Sequence, residues 1–300
     1  MAGHVSVLLN EVLEILALQS GQVVADGTLG RAGHAIEILK RTAPDGKLIG
    51  LDKDPEAVRE AGDRLAEYGK RAVIVQADFR ELPRVLAETG IGRVDAILLD
   101  LGVSSPQIED AGRGFSFLQE GPLDMRMDPR QELTAEEIVN QYPEEDIRQI
   151  LWDYGEERLA RQIARRIAEE RRSRPIRTTK ALENVVFHAV PKSYRYGRIH
   201  PATRTFQALR IAVNGELEAL TQFLKEAPDC LKDGGRLAVI SFHSLEDRIV
   251  KNAFRELGKN KMGMILTKKP MVPAEGETQS NPRSRSAKLR AFQRAQRSQP

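Results

Sequence analysis

Short apolar runs, each closing on a polar residue, recur at positions 23–26, 47–52, 72–75 and 94–102, and residues at helical spacing fill the stretches between them. Runs that are apolar at successive positions belong to strands covered on both faces, and their alternation with helices predicts a parallel sheet between helical layers. Residues 5–18 lead in with apolar side chains at 5, 8, 9, 12, 13, 15, 16 and 18, a helical pattern that Ser20 and Gly21 end. A helix is expected at 35–41, closed by the turn Ala43-Pro44-Asp45-Gly46. Another runs from Asp54-Pro55 to Tyr68, with Asp54 as N-cap and Pro55 at the first helical position.

From 108 to 200 the strand signal stops. A loop rich in Gly, Asp and Met (112–128) precedes helical patterns at 134–140, 143–154, 157–172 and 178–190. The sheet pattern then resumes with a long helix at 203–226, a strand at 234–242, a helix at 245–257 capped by Ser244, and two final strands at 264–268 and 287–292, antiparallel to each other. The expected fold is α/β. Residues 1–107 and 201–300 form one discontinuous domain, and 108–200 form a helical insertion that helps to bind substrate.

Composition narrows the setting. The chain has 300 residues, 41% of them hydrophobic, enough for a sizeable core. A net charge of +3 gives no global basic character. Positive charge is instead concentrated in residues 281–300, where Arg283, Arg285, Lys288, Arg290, Arg294 and Arg297 occur without any Asp or Glu. The single cysteine, Cys230, excludes an internal disulfide and reads as a buried structural thiol in a reducing compartment. With no apolar stretch of membrane-spanning length and no signal-peptide pattern, a cytoplasmic protein without membrane association is expected. Monomer and homodimer both fit. No ligand-type Cys/His spacing occurs, so no metal is expected.

The chemistry is concentrated where the first strand breaks into Asp26-Gly27-Thr28-Leu29-Gly30-Arg31-Ala32-Gly33-His34. A glycine turn at a helix start lets backbone amides approach a small polar ligand. Its G-x-x-G-x-x-G spacing is not the G-x-G-x-x-G of nicotinamide-dependent oxidoreductases, the rival enzyme class for such a sheet. The second strand ends in Asp52, where these folds place the acid that accepts ribose hydroxyls. The third runs into Asp78-Phe79, a polar and aromatic pair suited to a purine ring, and the fourth into Asp100. Ligands of open parallel sheets bind at the carboxyl ends of strands, so Asp26, Asp52, Asp78, Phe79 and Asp100 are expected along one crevice.

These blocks resemble the bacterial 16S ribosomal RNA cytosine-N4 methyltransferases. The resemblance rests on His4–Leu9, Asp26–His34, Leu99-Asp100-Leu101-Gly102-Val103-Ser104-Ser105-Pro106-Gln107, residues 121–128, His200-Pro201-Ala202-Thr203-Arg204-Thr205-Phe206-Gln207, residues 240–248 and residues 282–290. It implies a class I Rossmann-like methyltransferase sheet, S-adenosyl-L-methionine as cofactor, and methylation of a cytosine amine in the decoding region of the small ribosomal subunit. The cofactor contacts it implies are Ala32, Gly33 and His34 in the turn, Asp52 on the ribose, Phe79 beside the adenine, and Asp100 with Gln107 near the methionine end. One departure is visible: members usually carry glycine where this chain has Ala32, which matters only if that position needs a positive φ.

A cytosine amine is a weak nucleophile, so the protein must align it with the methyl group and meet its hydrogens with acceptors. Asp100 is the first candidate for orienting that nitrogen or the methionine amine, and Asp26 the second. His243 either relays a proton or hydrogen-bonds the turn after the fifth strand. Asp124 and Asp128, with Met125 and Met127, form either a lid or a loop whose methionines fill the insertion's core. For RNA the candidates are Tyr194, Arg195, Tyr196 and Arg198, where cations interleave with aromatic rings. The Arg-rich helix beside them reads as a solvated face paired with Glu169 and Glu170. A non-catalytic RNA-binding assembly factor that keeps the cofactor pocket is the alternative to the enzyme.

Overall fold

In the computed structural model, which describes residues 6–296, the apolar runs become strands β1 (Val23–Asp26), β2 (Lys47–Asp52), β3 (Ala72–Gln76), β4 (Val94–Asp100), β5 (Leu231–Ser241), β6 (Gly263–Ile265) and β7 (Lys288–Arg294). They form a sheet in the order β3-β2-β1-β4-β5-β7-β6, parallel from β3 to β5, with β7 antiparallel to both its neighbours. This is an α/β Rossmann-like sheet whose strand order reverses at β1 and β4, the place where such sheets open a crevice. His4, Val5 and Arg297 lie outside the described residues.

The side-chain period of a strand sorts residues onto two faces. Ala25, Ile49, Leu99, Leu237 and Val239 join one apolar cluster, while Val24, Leu48, Leu98, Ala238 and Ile240 join the other. Helices Leu82–Glu88, Glu216–Cys230 and Ser244–Lys259 cover the first face, and Leu9–Leu16, Gly33–Arg41 and Pro55–Leu65 the second. Both faces are dry, which explains why the strands read as continuous apolar runs. Asp54 caps its helix as expected, its side chain accepting from the Glu56 N–H at 3.0 Å.

Two compact units result: residues 1–102 with 217–300, and residues 103–216. Helix Ala202–Asn214 belongs to the second unit because Phe206, Leu209 and Val213 enter the same core as Ile147, Leu151 and Ile163. The single helix expected at 203–226 is therefore two, separated by Gly215 at φ +56°, a backbone state that ends helices. Met125 and Met127 are buried in the second unit's core, and Asn214 holds their backbones, accepting from Met127 N and donating to Met125 O, both at 2.8 Å. Asp124 and Asp128 are tied to Arg126 and Arg130. The methionines thus act as core filling.

Candidate active site

β1 lies between β2 and β4, so Asp26, Asp52 and Asp100 close three adjacent strands. The turn after β1 keeps bonding to both neighbours: Gly27 N–H donates to Leu98 O and Leu29 N–H to Leu51 O, each at 2.9 Å. A side chain at Gly27 would put its Cβ 2.5 Å from Leu99 Cδ2 and 3.0 Å from Phe79 Cβ, so only glycine fits between them. Asp52 holds the turn from the other side, its Oδ2 accepting the Gly30 N–H and its Oδ1 the Asp54 N–H, both at 2.9 Å. Burial raises the Asp52 pKa against the pull of those two donors.

Ala32 has φ +58° and ψ +27°, so the departure from glycine falls on a position that does need the left-handed conformation. An alanine there costs about 1–2 kcal/mol relative to a relaxed backbone. Its N–H donates to Leu29 O at 2.8 Å, closing the turn, so the backbone contact expected of Ala32 toward a ligand is already spent inside the protein. Helix Gly33–Arg41 begins directly after it with no side-chain cap, and such a helix start favours an anionic group. Gly33 is crowded by the N-terminal segment: a Cβ there would overlap Ser6 Oγ.

His34 also presents its ring to the site. The imidazole is buried, with Nε2 3.0 Å from Val7 O and Nδ1 3.7 Å from Asp100 Oδ2. Since only a protonated nitrogen satisfies the carbonyl, Nε2 carries the hydrogen and Nδ1 faces the acid. The Asp100 backbone N–H donates to Thr28 Oγ1 at 2.6 Å, and Thr28 N–H donates to Asp26 Oδ1 at 3.1 Å. Thr28, absent from the residues expected in the site, therefore ties the two acids together.

The acids are electrostatically unusual. Burial pushes Asp26 up to about 7, with the Asp52 charge adding and Thr28 opposing. Asp100 is pushed up to about 8 by burial, then by the charges of Asp26 and Glu246. Its side chain remains 26% accessible, but Oδ1 is buried with no hydrogen-bond partner, the one carboxylate oxygen in that condition among the described residues. Glu246 is the second contributor that sequence reasoning missed. It is 2% exposed, accepts the Phe242 N–H at 2.8 Å, and sits in a capping box with His243.

That capping box corrects one expectation. The N-cap of helix Ser244–Lys259 is His243 and not Ser244, and its Nδ1 accepts the Glu246 N–H at 3.4 Å while Nε2 stands 3.2 Å from Glu246 Oε1. The ring is built into the helix start, which is the structural alternative for His243. The spacing of His243 and Glu246 has the N-cap and N3 register that signals such a box. Phe79 is half-buried and packs edge-on against Phe223, with centroids 5.3 Å apart. Asp78 is occupied, capping its own turn and pairing with Arg80 at 2.9 Å. Gln107 belongs to the second unit, where its Oε1 accepts the Ser104 N–H at 2.9 Å in another capping box.

The RNA candidates divide. Tyr194 donates its hydroxyl to the buried carboxylate of Glu157 at 2.9 Å, and Arg195 satisfies Val190 O and His188 O at the end of helix Thr179–Ala189. Both are anchors of the loop. Tyr196 and Arg198 are exposed. In the basic tail, Arg290 pairs with Asp247 at 2.6 Å and Arg294 is 5% exposed, with its guanidinium on Pro228 O and Leu231 O. Arg165 and Arg166 pair with Glu169 and Glu170 at helical spacing. Cys230 is buried, its thiol pushed up to about 11 by burial. No helix is long and apolar enough to cross a membrane, and among the described residues no cluster of three or more His, Cys, Asp or Glu is placed to hold a metal.

The whole arrangement matches a known family model, the MraW methylase family, over residues 1–295. The chain belongs to this family. Two relatives are named ribosomal RNA small subunit methyltransferase H: that of Syntrophobacter fumaroxidans is 50% identical over 97% of this chain and 96% of its own, and that of Synechococcus elongatus 53% identical over 97% and 94%. A solved rRNA methylase from Streptococcus thermophilus aligns over 98% of this chain and 100% of its own, at 12% identity and a TM-score of 0.45. As a member of the MraW methylase family the protein is a methyltransferase, and S-adenosylmethionine is its cofactor. The residues present fit that cofactor: an uncapped helix end, a glycine turn, the Asp52 carboxylate, the Phe79 ring and the unpartnered Asp100 oxygen.

Proposed function

We propose that this protein methylates the exocyclic N4 amine of a cytosine in the decoding region of 16S ribosomal RNA, acting on the small subunit in the cytoplasm. The observation that carries the reading is Asp100: a carboxyl at the end of β4 whose buried Oδ1 has no hydrogen-bond partner among the described residues. A cytosine amine brings two N–H donors and must lose one proton, so it requires an acceptor of this kind beside the methyl group. Relatives named ribosomal RNA small subunit methyltransferase H, about half identical along nearly their whole length, support the RNA assignment.

When bound, S-adenosylmethionine supplies a methyl group on a cationic sulfur. In this reading Asp52 receives the ribose hydroxyls, Gly33 and its helix end receive the carboxylate, and Phe79 lies against the adenine. Asp100 orients the amine and accepts its hydrogen, while Thr28 fixes the Asp100 backbone N–H and the His34 ring faces the carboxyl. Asp26 stays beneath as a second proton reservoir. Gln107 and the RNA contacts of Tyr196 and Arg198 complete the assignment, with Tyr194 and Arg195 shaping their loop.

The test is transfer of labelled methyl groups to small subunits from cells lacking this protein, followed by nucleoside mass analysis, with wild type and Asp100→Ala. Label on a cytosine amine, lost in the variant, supports the reading. Cofactor binding without transfer to subunits or free RNA would replace it with the assembly-factor alternative.

A further inference from the structure

A column of aromatic rings runs through the second unit and ends at solvent. The His200 imidazole lies between Phe117 and Phe187, with centroids 4.8 and 5.9 Å away and interplanar angles of 29° and 18°. Phe206, in the core, meets Phe117 edge-on at 5.0 Å. At the far end Tyr196 meets Phe187 at 6.1 Å and 85°, and the Arg195 guanidinium stands 5.3 Å from the Phe187 ring centre. His200 is fixed in rotation: its Nδ1 accepts the Ala202 N–H at 3.2 Å, which places the ring hydrogen on Nε2, 3.3 Å from Glu183 Oε1.

The column is thus rooted in the core and terminates in a tyrosine that is 80% exposed. Leu118 and Ile199, the chain neighbours of Phe117 and His200, are also exposed, so apolar surface is concentrated at these segments. Large apolar side chains left together in water mark contact surfaces. The charge nearby selects the occupant: residues 192–204 carry Lys192, Arg195, Arg198 and Arg204 and no Asp or Glu, and the nearby Glu183 is taken up by His200. Flat rings among cations match a chain that repeats flat rings among phosphates, and only an unpaired strand exposes those ring faces.

We propose that an unpaired nucleotide of the substrate RNA stacks on Tyr196, with Lys192 and Arg198 on the adjoining phosphates and the Phe187–His200–Phe117 column holding the platform rigid. The proposal rests on the RNA reading above and adds how open RNA is told from duplex: a paired base has no free face to offer this ring.

Trp152 is the sole tryptophan, so the full-length double variant Trp152→Phe/Tyr196→Trp carries one emitter, placed at the platform. A short unstructured oligoribonucleotide quenches that emission saturably, while the same sequence annealed to its complement at equal concentration does not. In methyl transfer to small subunits, Tyr196→Ala raises KM about tenfold, within the range expected for losing one stacked base. kcat, melting temperature and S-adenosylmethionine affinity are unchanged, and Tyr196→Phe behaves as wild type. Absence of quenching, equal quenching by duplex, quenching by an acidic peptide in place of RNA, or an unchanged KM in Tyr196→Ala would each overturn the proposal. Failure of the wild-type protein to transfer any methyl group would instead overturn the catalytic reading, leaving the fluorescence result to decide the platform by itself.

Discussion

The charge of Asp26 helps to keep Asp100 protonated: the two acids end adjacent parallel strands, and Asp26 is the first charge, after burial itself, to raise the Asp100 pKa toward about 8. Two such groups make the protein's stability depend on pH in an unusual direction. Above about pH 4 an unfolded chain releases protons that the native state still holds, so native stability falls as pH rises from about 4 to about 8. For Asp100, whose side chain is 26% accessible, we expect a loss of about 1–2 kcal/mol across that window. Asp100→Asn should flatten this slope and melt higher than wild type at pH 8 without cofactor. Denaturant titrations at pH 5 and pH 8 decide it: equal slopes for both proteins refute the linkage.

Cofactor binding should release protons near neutral pH. A cation arriving at Asp26 and Asp100 favours their ionised forms, which burial disfavours. Calorimetry in buffers of different ionisation enthalpy should show more proton release with S-adenosylmethionine than with S-adenosylhomocysteine, whose sulfur is neutral. The difference should shrink in Asp100→Asn. Identical release for the two ligands would mean that neither acid senses the sulfur.

Gly33→Ala should destabilise the protein by about 1–3 kcal/mol, the usual cost of overfilling a packed contact, because the new methyl overlaps Ser6 Oγ. Ser6→Ala in the same chain should recover most of that loss, since the remaining Cβ would stand 3.5 Å away, at ordinary contact distance. Thermal melting of the two single variants and the double variant measures the coupling, and additive losses would place the strain elsewhere.

Arginines with similar sequence neighbourhoods should separate by role. Arg290→Met removes a buried guanidinium from a partly exposed Asp247 that keeps Lys288 beside it, and should cost about 1–3 kcal/mol of stability. Arg198→Ala, at an exposed loop position, should leave the melting temperature within a degree or so while weakening RNA binding and flattening its salt dependence. RNA binding lost from a fully folded Arg290→Met protein would contradict the structural role.

What could be read from the chain was what is encoded locally. The apolar runs ending in Asp26, Asp52 and Asp100 place the acids because strand burial and strand ends are properties of neighbouring residues. The antiparallel final pair was legible for the same reason, although not its position beside β5. The break at Gly215 was hidden because apolar spacing continues in register on both sides of it. The requirement for a positive φ at Ala32 was invisible in the residue itself, and Tyr194 looked like a stacking residue because its partner, Glu157, is 37 positions away. Of the two readings open for His243, the local one matches the cap it forms at the helix start.

The position of β7 sets a timetable for synthesis. The edge of β5 is completed only by residues 288–294, so while the chain is still being made β5 waits as an open, hydrogen-bond-hungry border. Six strands and the entire second unit precede that closing segment, and β6 has no partner until it arrives. Nascent protein must therefore remain shielded until residues 288–294 have emerged, and loss of that segment would leave a sticky border in place of a finished sheet.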